Sequence, residues 1–149
     1  MGAVAIAPSN PQVIWLGTGE ANDRNSSGWG RGVYRSTDGG GSWTHAGLPD
    51  SKTIARIVVH PKDPDTAWVA AMGDLWQPGG ERGCYKTTDA GKTWTASLKG
   101  EGEDAGILGC GDIAIDPQNP ETVYGVLYAR QRTPWSFAAG PDATGGRDA

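Results

Sequence analysis

Four carboxylates sit in glycine-rich stretches from which they could act on a bond: Glu20, Asp23, Asp74 and Glu81. Two carboxyl groups held about 5–10 Å apart across a glycosidic bond can hydrolyse it, as acid with base or acid with nucleophile. Groups suited to holding a polar ligand surround them. Asn22, Arg24, Trp29 and Arg31 accompany the first two, and Trp76, Gln77 and Arg82 the second two. A third stretch offers Arg130, Arg132 and Trp135. Aromatic rings stack, while amides and guanidinium groups fix orientation, a combination that suits a glycan or a polypeptide. Nothing in the order of residues shows that any two carboxylates converge. His45 and His60 are isolated and read as strand-end residues. No nucleophile elbow, phosphate loop or nucleotide fingerprint occurs, so no cofactor is expected. No Cys-x-x-Cys spacing is present and the acidic run Glu101-Gly102-Glu103-Asp104 reads as solvated, so no metal is expected either.

Composition narrows the classes further. The formal net charge is −4 and no run of Lys or Arg occurs, which argues against nucleic acid and against an anionic membrane surface. No stretch of apolar residues is long enough to span a bilayer. Two cysteines, Cys84 and Cys110, are too few for a disulfide framework. They could pair, but two free, partly buried thiols are the preferred reading. Gly numbers 24 and Pro 10 among 149 residues, so turns must be frequent.

The elements that position these groups come from a repeat. Val4-Ala5-Ile6-Ala7-Pro8, Ile57-Val58-Val59-His60-Pro61 and Ile113-Ala114-Ile115-Asp116-Pro117 align without gaps, with prolines 53 and 56 residues apart. The same register makes Trp15, Trp68 and Tyr124 equivalent. Each copy reads as four short strands bounded by turn residues. Strand A covers 3–7, 55–60 and 111–116, strand B 13–18, 66–72 and 122–128. Strand C covers 32–37 and 83–88, strand D 42–46 and 93–98. Helices should be scarce, because no sustained 3.6-residue period appears. A four-stranded unit in tandem is the signature of a propeller. The expected fold is therefore all-β, a β-propeller fragment of two to three four-stranded antiparallel blades. The blades would be about 1–47, about 54–99 and an incomplete third at about 110–149. Ring closure needs about four to eight blades, so the chain is expected to be part of a longer polypeptide.

A second shared block carries the resemblance to a known family. Ser36-x-Asp38-x-Gly40-x-Ser42-Trp43 and Thr87-x-Asp89-x-Gly91-x-Thr93-Trp94 recur 51 residues apart. They resemble the Asp box of BNR-repeat propellers: sialidases, xyloglucanase-type glycosidases and sortilins. Gly17-Thr18-Gly19-Glu20-Ala21-Asn22 makes the chain most similar to bacterial sortilin-like propellers related to glycosyl hydrolases. The resemblance implies that Asp38 and Asp89 are architecture and not catalysts. Physically, each Asp can accept N–H bonds within the C–D turn, each Gly can take a positive φ, and each Trp can cover the hairpin and pack toward the next sheet. Sialidase chemistry is disfavoured, since no loop Tyr accompanies the arginines.

Up-and-down topology sorts the loops onto two faces. The short A–B and C–D turns share one. The long, divergent B–C loops (19–31, 73–82, 129–149) and D–A loops (47–54, 99–110) share the other, and any site is placed there. Residue by residue the plain reading is preferred: Glu20 pairs locally with Arg24, and Trp76 and Trp135 cover blade edges. As a set, the loops are read as the functional surface. Two functions stand: an exported scaffold for polypeptide or glycan, secreted or periplasmic as the resemblance implies, and a glycoside hydrolase whose catalytic pair lies partly outside the chain. An assembly factor is a third, unsupported reading. The remaining blades of the parent protein are expected partners. Alone, the chain should expose blade faces and self-associate, and residues 143–149 should be disordered.

Overall fold

A computed structural model describes residues 2–22 and 26–132. Residues 143–149, expected to be disordered, lie outside the described part. The strands are β1 Ala3–Ile6, β2 Ile14–Gly17, β3 Val33–Ser36, β4 Thr44–His45 and β5 Ile54–Val59. They continue as β6 Ala67–Ala71, β7 Gly83–Thr87, β8 Thr95–Leu98, β9 Leu108–Ile115 and β10 Val123–Ala129. A single 3-10 turn, Glu103–Gly106, is the only helical element among the described residues. The sheets are antiparallel meanders, ordered β1-β2-β3-β4, β5-β6-β7-β8 and β9-β10. β9 starts three residues earlier than strand A was expected to. A bulge between Val126 and Leu127 lets the ladder continue to Ala129 opposite Leu108.

The sheets stack as successive propeller blades. β1 packs on β5 and β5 on β9, so the first strands line up along the inside. Period-two alternation explains the stacking. Ile57 and Val59 point back into a core shared with Trp15, Val13 and Val33, while Ala3 and Ala5 of β1 pack against it from the other side. Trp68, Ala70 and Ile113 form the next core, flanked by Ala55 and Val58. Bulky residues of each first strand therefore face the preceding sheet and small ones the following sheet. Among the described residues the outer faces at the two ends are uncovered: Val4 and Ile6 of β1 are exposed at one, Tyr124 and Val126 of β10 at the other.

The C–D turns close on themselves. Asp38 accepts the Ser42 N–H at 2.8 Å and the Ser36 and Ser42 hydroxyls at 2.7 Å each. Asp89 does the same with Thr93 N–H, Thr87 and Thr93. Gly40 and Gly91 take φ of 97° and 86°, the left-handed region in which glycine is unstrained. The hydrogen bonds of Ser42 and Ser36 hold the Asp38 carboxyl far below the usual carboxylate range, and those of Thr93 and Thr87 hold Asp89 at about 2. The two tryptophans differ. Trp94 packs back on the preceding sheet, edge-on to Trp15 with ring centroids 6.2 Å apart, and donates to the Ala46 carbonyl at 2.7 Å. Trp43 donates to Gly40 of its own turn and stays exposed.

The cysteines correct the expectation of free thiols. Cys84 on β7 and Cys110 on β9 form a disulfide, with Cα atoms 5.4 Å apart. They lie on different sheets, so the bond staples the second blade to the third. Their spacing in sequence says nothing of this, because only the stacking of β7 on β9 brings them together.

On the opposite side from the C–D turns, an arginine gathers the loops. Arg82 is 4% exposed. Its Nε donates to Gly79, its Nη1 to Met72, Arg130 and Ile107, and its Nη2 to Gln77 and Asp74, all through backbone carbonyls. Burial, then the nearby Arg130 charge, lower its pKa, and Asp74 opposes them. Arg130 is buried too, and donates to the carbonyls of Gly73 and Glu20 at 2.8 and 3.2 Å. Loops of all three blades thus meet at two guanidinium groups.

Three outcomes test this account. Ser in place of both cysteines should cost about 3 kcal/mol in urea unfolding, given the 26-residue separation, and equal midpoints would show that the staple does not constrain the chain. Arg82→Ala should cost about 3 kcal/mol or more, since each buried carbonyl left without a donor costs about 1–3 kcal/mol. Arg82→Lys, lacking the planar fork, should recover only part of that, and full recovery would refute the carbonyl-gathering role. Asp89 has a folded pKa of about 2 against an ordinary 3.8, so its ionised form stabilises above that ordinary value and the contribution is lost as pH falls through about 2. Asp89→Asn should therefore lower the urea midpoint at neutral pH and flatten its acid dependence. Parallel pH curves for variant and parent would contradict the assignment.

Candidate functional site

The loop face is shaped first by backbone closure. In the loop between β2 and β3, the Thr18 hydroxyl donates to the Gly32 carbonyl at 2.7 Å and accepts the Arg31 N–H at 2.8 Å. Further out, Glu20 N–H bonds the Gly28 carbonyl, and the Glu20 carboxylate accepts Gly28 N–H at 3.3 Å. Gly30 N–H anchors the loop to Lys52 of the neighbouring D–A loop. Trp29, between these ties, is turned outward and is 65% exposed. A hollow of about 440 Å³ opens beside it, lined by Gly2, Gly19, Glu20, Ala21, Asn22, Gly28 and Trp29. The hollow sits over the loop that Arg130 holds through the Glu20 carbonyl.

The residues singled out from sequence separate into groups. Glu20, Asn22 and Trp29 come together at this hollow. Arg31 lines a second one of about 510 Å³ with Tyr34, His45, Pro49, Asp50 and Lys52. There His45 Nε2 lies 2.8 Å from the Arg31 carbonyl, and the ring meets Tyr34 edge-on. Asp74 accepts Trp76 N–H at 2.9 Å, a local turn bond that leaves Trp76 half-buried. Glu81 accepts Asp50 N–H at 2.8 Å and joins the second blade's loop to the first D–A loop. Arg82 and Arg130 are inside, bonded to carbonyls, and act by positioning loops. Arg132 is buried as well, with its N–H on the Leu75 carbonyl. Gln77 remains exposed and lends Arg82 its carbonyl. Asp23, Arg24 and Trp135 lie outside the described residues. Ser36, Asp38, Gly40 and Trp43, like Thr87, Asp89, Gly91 and Trp94, sit at the C–D turns on the other face.

Sequence reasoning missed Tyr34, Pro49 and Lys52 as surface-forming residues. Tyr34 lies on β3 and Lys52 in the loop between the first two sheets, and no spacing pattern links them. Gly19 carries the one available sign. Its φ is 90°, and a Cβ there would meet the Lys52 carbonyl at 2.2 Å, so the close approach of the two loops requires glycine.

Chemically, the first hollow presents an indole face beside a carboxylate and an amide. Such a set stacks on a flat, partly apolar ligand and hydrogen-bonds its hydroxyls. No group of three or more potential metal ligands occurs among the described residues, and no helix among them is long and apolar enough to cross a membrane.

Comparison with known proteins places the fold. No family model matches the chain. A probable oligoxyloglucan-reducing end-specific xyloglucanase of Neosartorya fischeri is 25% identical over 130 residues, covering 82% of this chain and 14% of that protein. A vacuolar protein sorting/targeting protein 10 of Sordaria macrospora is 38% identical over 63 residues, covering 42% of this chain and 4% of that protein. Among solved structures, a GH74 enzyme of Niastella koreensis superposes with a TM-score of 0.58 at 21% identity, over 87% of this chain and 18% of that one. An ancestral GH74 enzyme gives 0.62 at 19% identity, over 85% and 16%. The chain spans less than a fifth of each of these proteins. Its fold is that of a stretch of a GH74-like β-propeller.

Proposed function

We propose that this chain forms part of the ligand-facing surface of an exported, carbohydrate-binding β-propeller related to glycoside hydrolases. In this reading the turns at Ser36–Trp43 and Thr87–Trp94 are its Asp boxes, with structural aspartates. The carrying observation is the exposed Trp29 beside the hollow that Glu20 and Asn22 share. The ring stacks on a sugar face while the carboxylate and amide take its hydroxyls. The similarity to a xyloglucanase over most of the chain supports an oligosaccharide of the β-glucan class. The disulfide supports export, because such bonds persist in oxidising compartments.

Hydrolysis is the second reading, and the same similarity favours it. Asp74, Glu81 and Glu20 each accept a backbone N–H, and of the three it is Glu20 that lines the hollow. A catalytic pair would then join Glu20 to a carboxylate on another blade of the longer protein. Polypeptide binding, in the manner implied by the sortilin-like resemblance, is the competing ligand class.

Isothermal titration with xyloglucan oligosaccharides tests the proposal. Trp29→Ala should weaken binding at least tenfold, about 1.4 kcal/mol, with an unchanged melt. Equal affinity for parent and variant would remove the hollow from the binding surface. In the full-length protein, Glu20→Gln should leave binding intact and abolish release of reducing sugar if the hydrolytic reading holds. Undiminished release would exclude Glu20 from catalysis.

A further inference from the structure

Two guanidinium groups in this chain are largely covered but bonded very differently. Arg82 donates to backbone carbonyls through all three of its nitrogens. Arg35 has a side chain only 15% exposed, with the guanidinium carbon 5.3 Å from the Trp15 ring centroid. Among the described residues only the Asp65 carboxylate hydrogen-bonds it, through Nη2. Its Nε is buried with no hydrogen-bond partner. A guanidinium withdrawn from bulk water in this state favours an acceptor placed beside it.

Beside Arg35 a groove of about 260 Å³ runs between the first sheet and the C–D turn of the second blade. Arg35 and Thr44 are direct cross-strand partners, so their side chains share one face. Both line the groove, with Thr37. The turn forms the other wall. Gly91 packs so closely on the first sheet that a Cβ there would meet the Ala46 carbonyl at 2.8 Å. This approach brings the exposed Lys92 to the groove. The lining thus holds two cations and no carboxylate. Asp38, Asp65 and Asp89 stand nearby, each already accepting from hydroxyls of its own turn or from Arg35. The turn's N–H groups are engaged as well: Ala90 on the Asp65 carbonyl, Gly91 on Thr87 and Lys92 on the Asp89 carbonyl. The donors that remain are side chains: the guanidinium, the ammonium and the hydroxyls of Thr37 and Thr44, which no described residue bonds.

We propose that this groove binds a tetrahedral oxyanion of the sulfate or phosphate class, between Arg35 and Thr44 of the first sheet and Lys92 of the second. Cations on two sides with hydroxyls between them suit a ligand that only accepts hydrogen bonds and does so through several oxygens. Pockets for drug-sized ligands hold about 300–1,000 Å³, so the smaller groove takes a free ion or one anionic group of a larger molecule. The three neighbouring aspartates keep the affinity modest. The site lies on the side of the C–D turns, away from Trp29, and does not depend on the carbohydrate reading. An anion there ties the second blade's turn to the first sheet, next to the bond from Trp94 to the Ala46 carbonyl. Its occupancy stabilises the folded chain by mass action.

Sodium sulfate and sodium phosphate, titrated onto the full 149-residue chain at an ionic strength held constant with sodium chloride, test this. Saturable binding of one ion per chain is expected, with a Kd near about 1 mM. Amide shifts should be confined to 35–37, 42–46 and 90–92. Lys92→Gln should weaken binding at least tenfold and Thr44→Val several-fold, each with an unchanged melt in chloride. Both variants keep the Arg35–Asp65 pair, so a weaker ion cannot be put down to a broken joint. Glucose 6-sulfate forms the second arm. Affinity equal to that of sulfate assigns the groove to an anionic group on a larger molecule, and its exclusion assigns a free ion. No saturation, equal affinity of parent and Lys92→Gln, or shifts outside the groove would overturn the proposal. So would a melt that rises equally in both chains, the outcome of general salt exclusion.

Discussion

A four-stranded sheet of this kind has two faces and cannot bury either by itself, so every blade depends on indole and aliphatic packing against the next. Trp15 is fully buried only because Ile57, Val59 and Trp94 arrive from the second sheet. The cation over its ring, Arg35, ties the same joint to the A–B turn of that sheet. Stability in such a stack is a property of interfaces more than of single sheets. The Cys84–Cys110 bond adds a covalent tie at the second interface.

The two faces of the stack have divided their work. The C–D turns are self-contained: each aspartate is held by hydroxyls and N–H groups within four residues of it. They can therefore recur unchanged in each blade. The opposite loops are longer and differ from blade to blade, and short turn bonds alone do not satisfy all their carbonyls. Buried guanidinium groups do it for them, with Arg82 and Arg130 binding carbonyls from loops of three blades. A surface that varies in sequence is thereby held on a common rigid base, which is where Trp29 and the hollow beside it are found.

This division explains which residues a reading of the chain assigns well. Aspartates in short turns are recognisable because their partners lie next to them in sequence. Arg82 and Arg130 resemble ligand-binding arginines, since both fall in variable loops among aromatics and carboxylates. Their partners are backbone carbonyls, of Arg82's own loop and of other loops, and backbone atoms leave no mark in composition. Asp74 and Glu81 are similar cases, with carboxylates that accept N–H groups of Trp76 and Asp50.

The order of residues by itself determined the repeat, the strand order within each sheet, the alternation that sets one face of each strand inward, and the aspartate-tipped turns. All of these rest on interactions between near neighbours or on the two-residue period of a strand. Only the tertiary structure decided that Cys84 meets Cys110 across 26 residues and that Arg130 reaches Glu20 across 110. It alone showed that Trp94 is half-buried against the preceding sheet while Trp43 is exposed, although their local sequences match. The reason is the same in each case: whether a group is covered or bonded depends on which sheet stacks beside it, and that neighbour is remote in the chain.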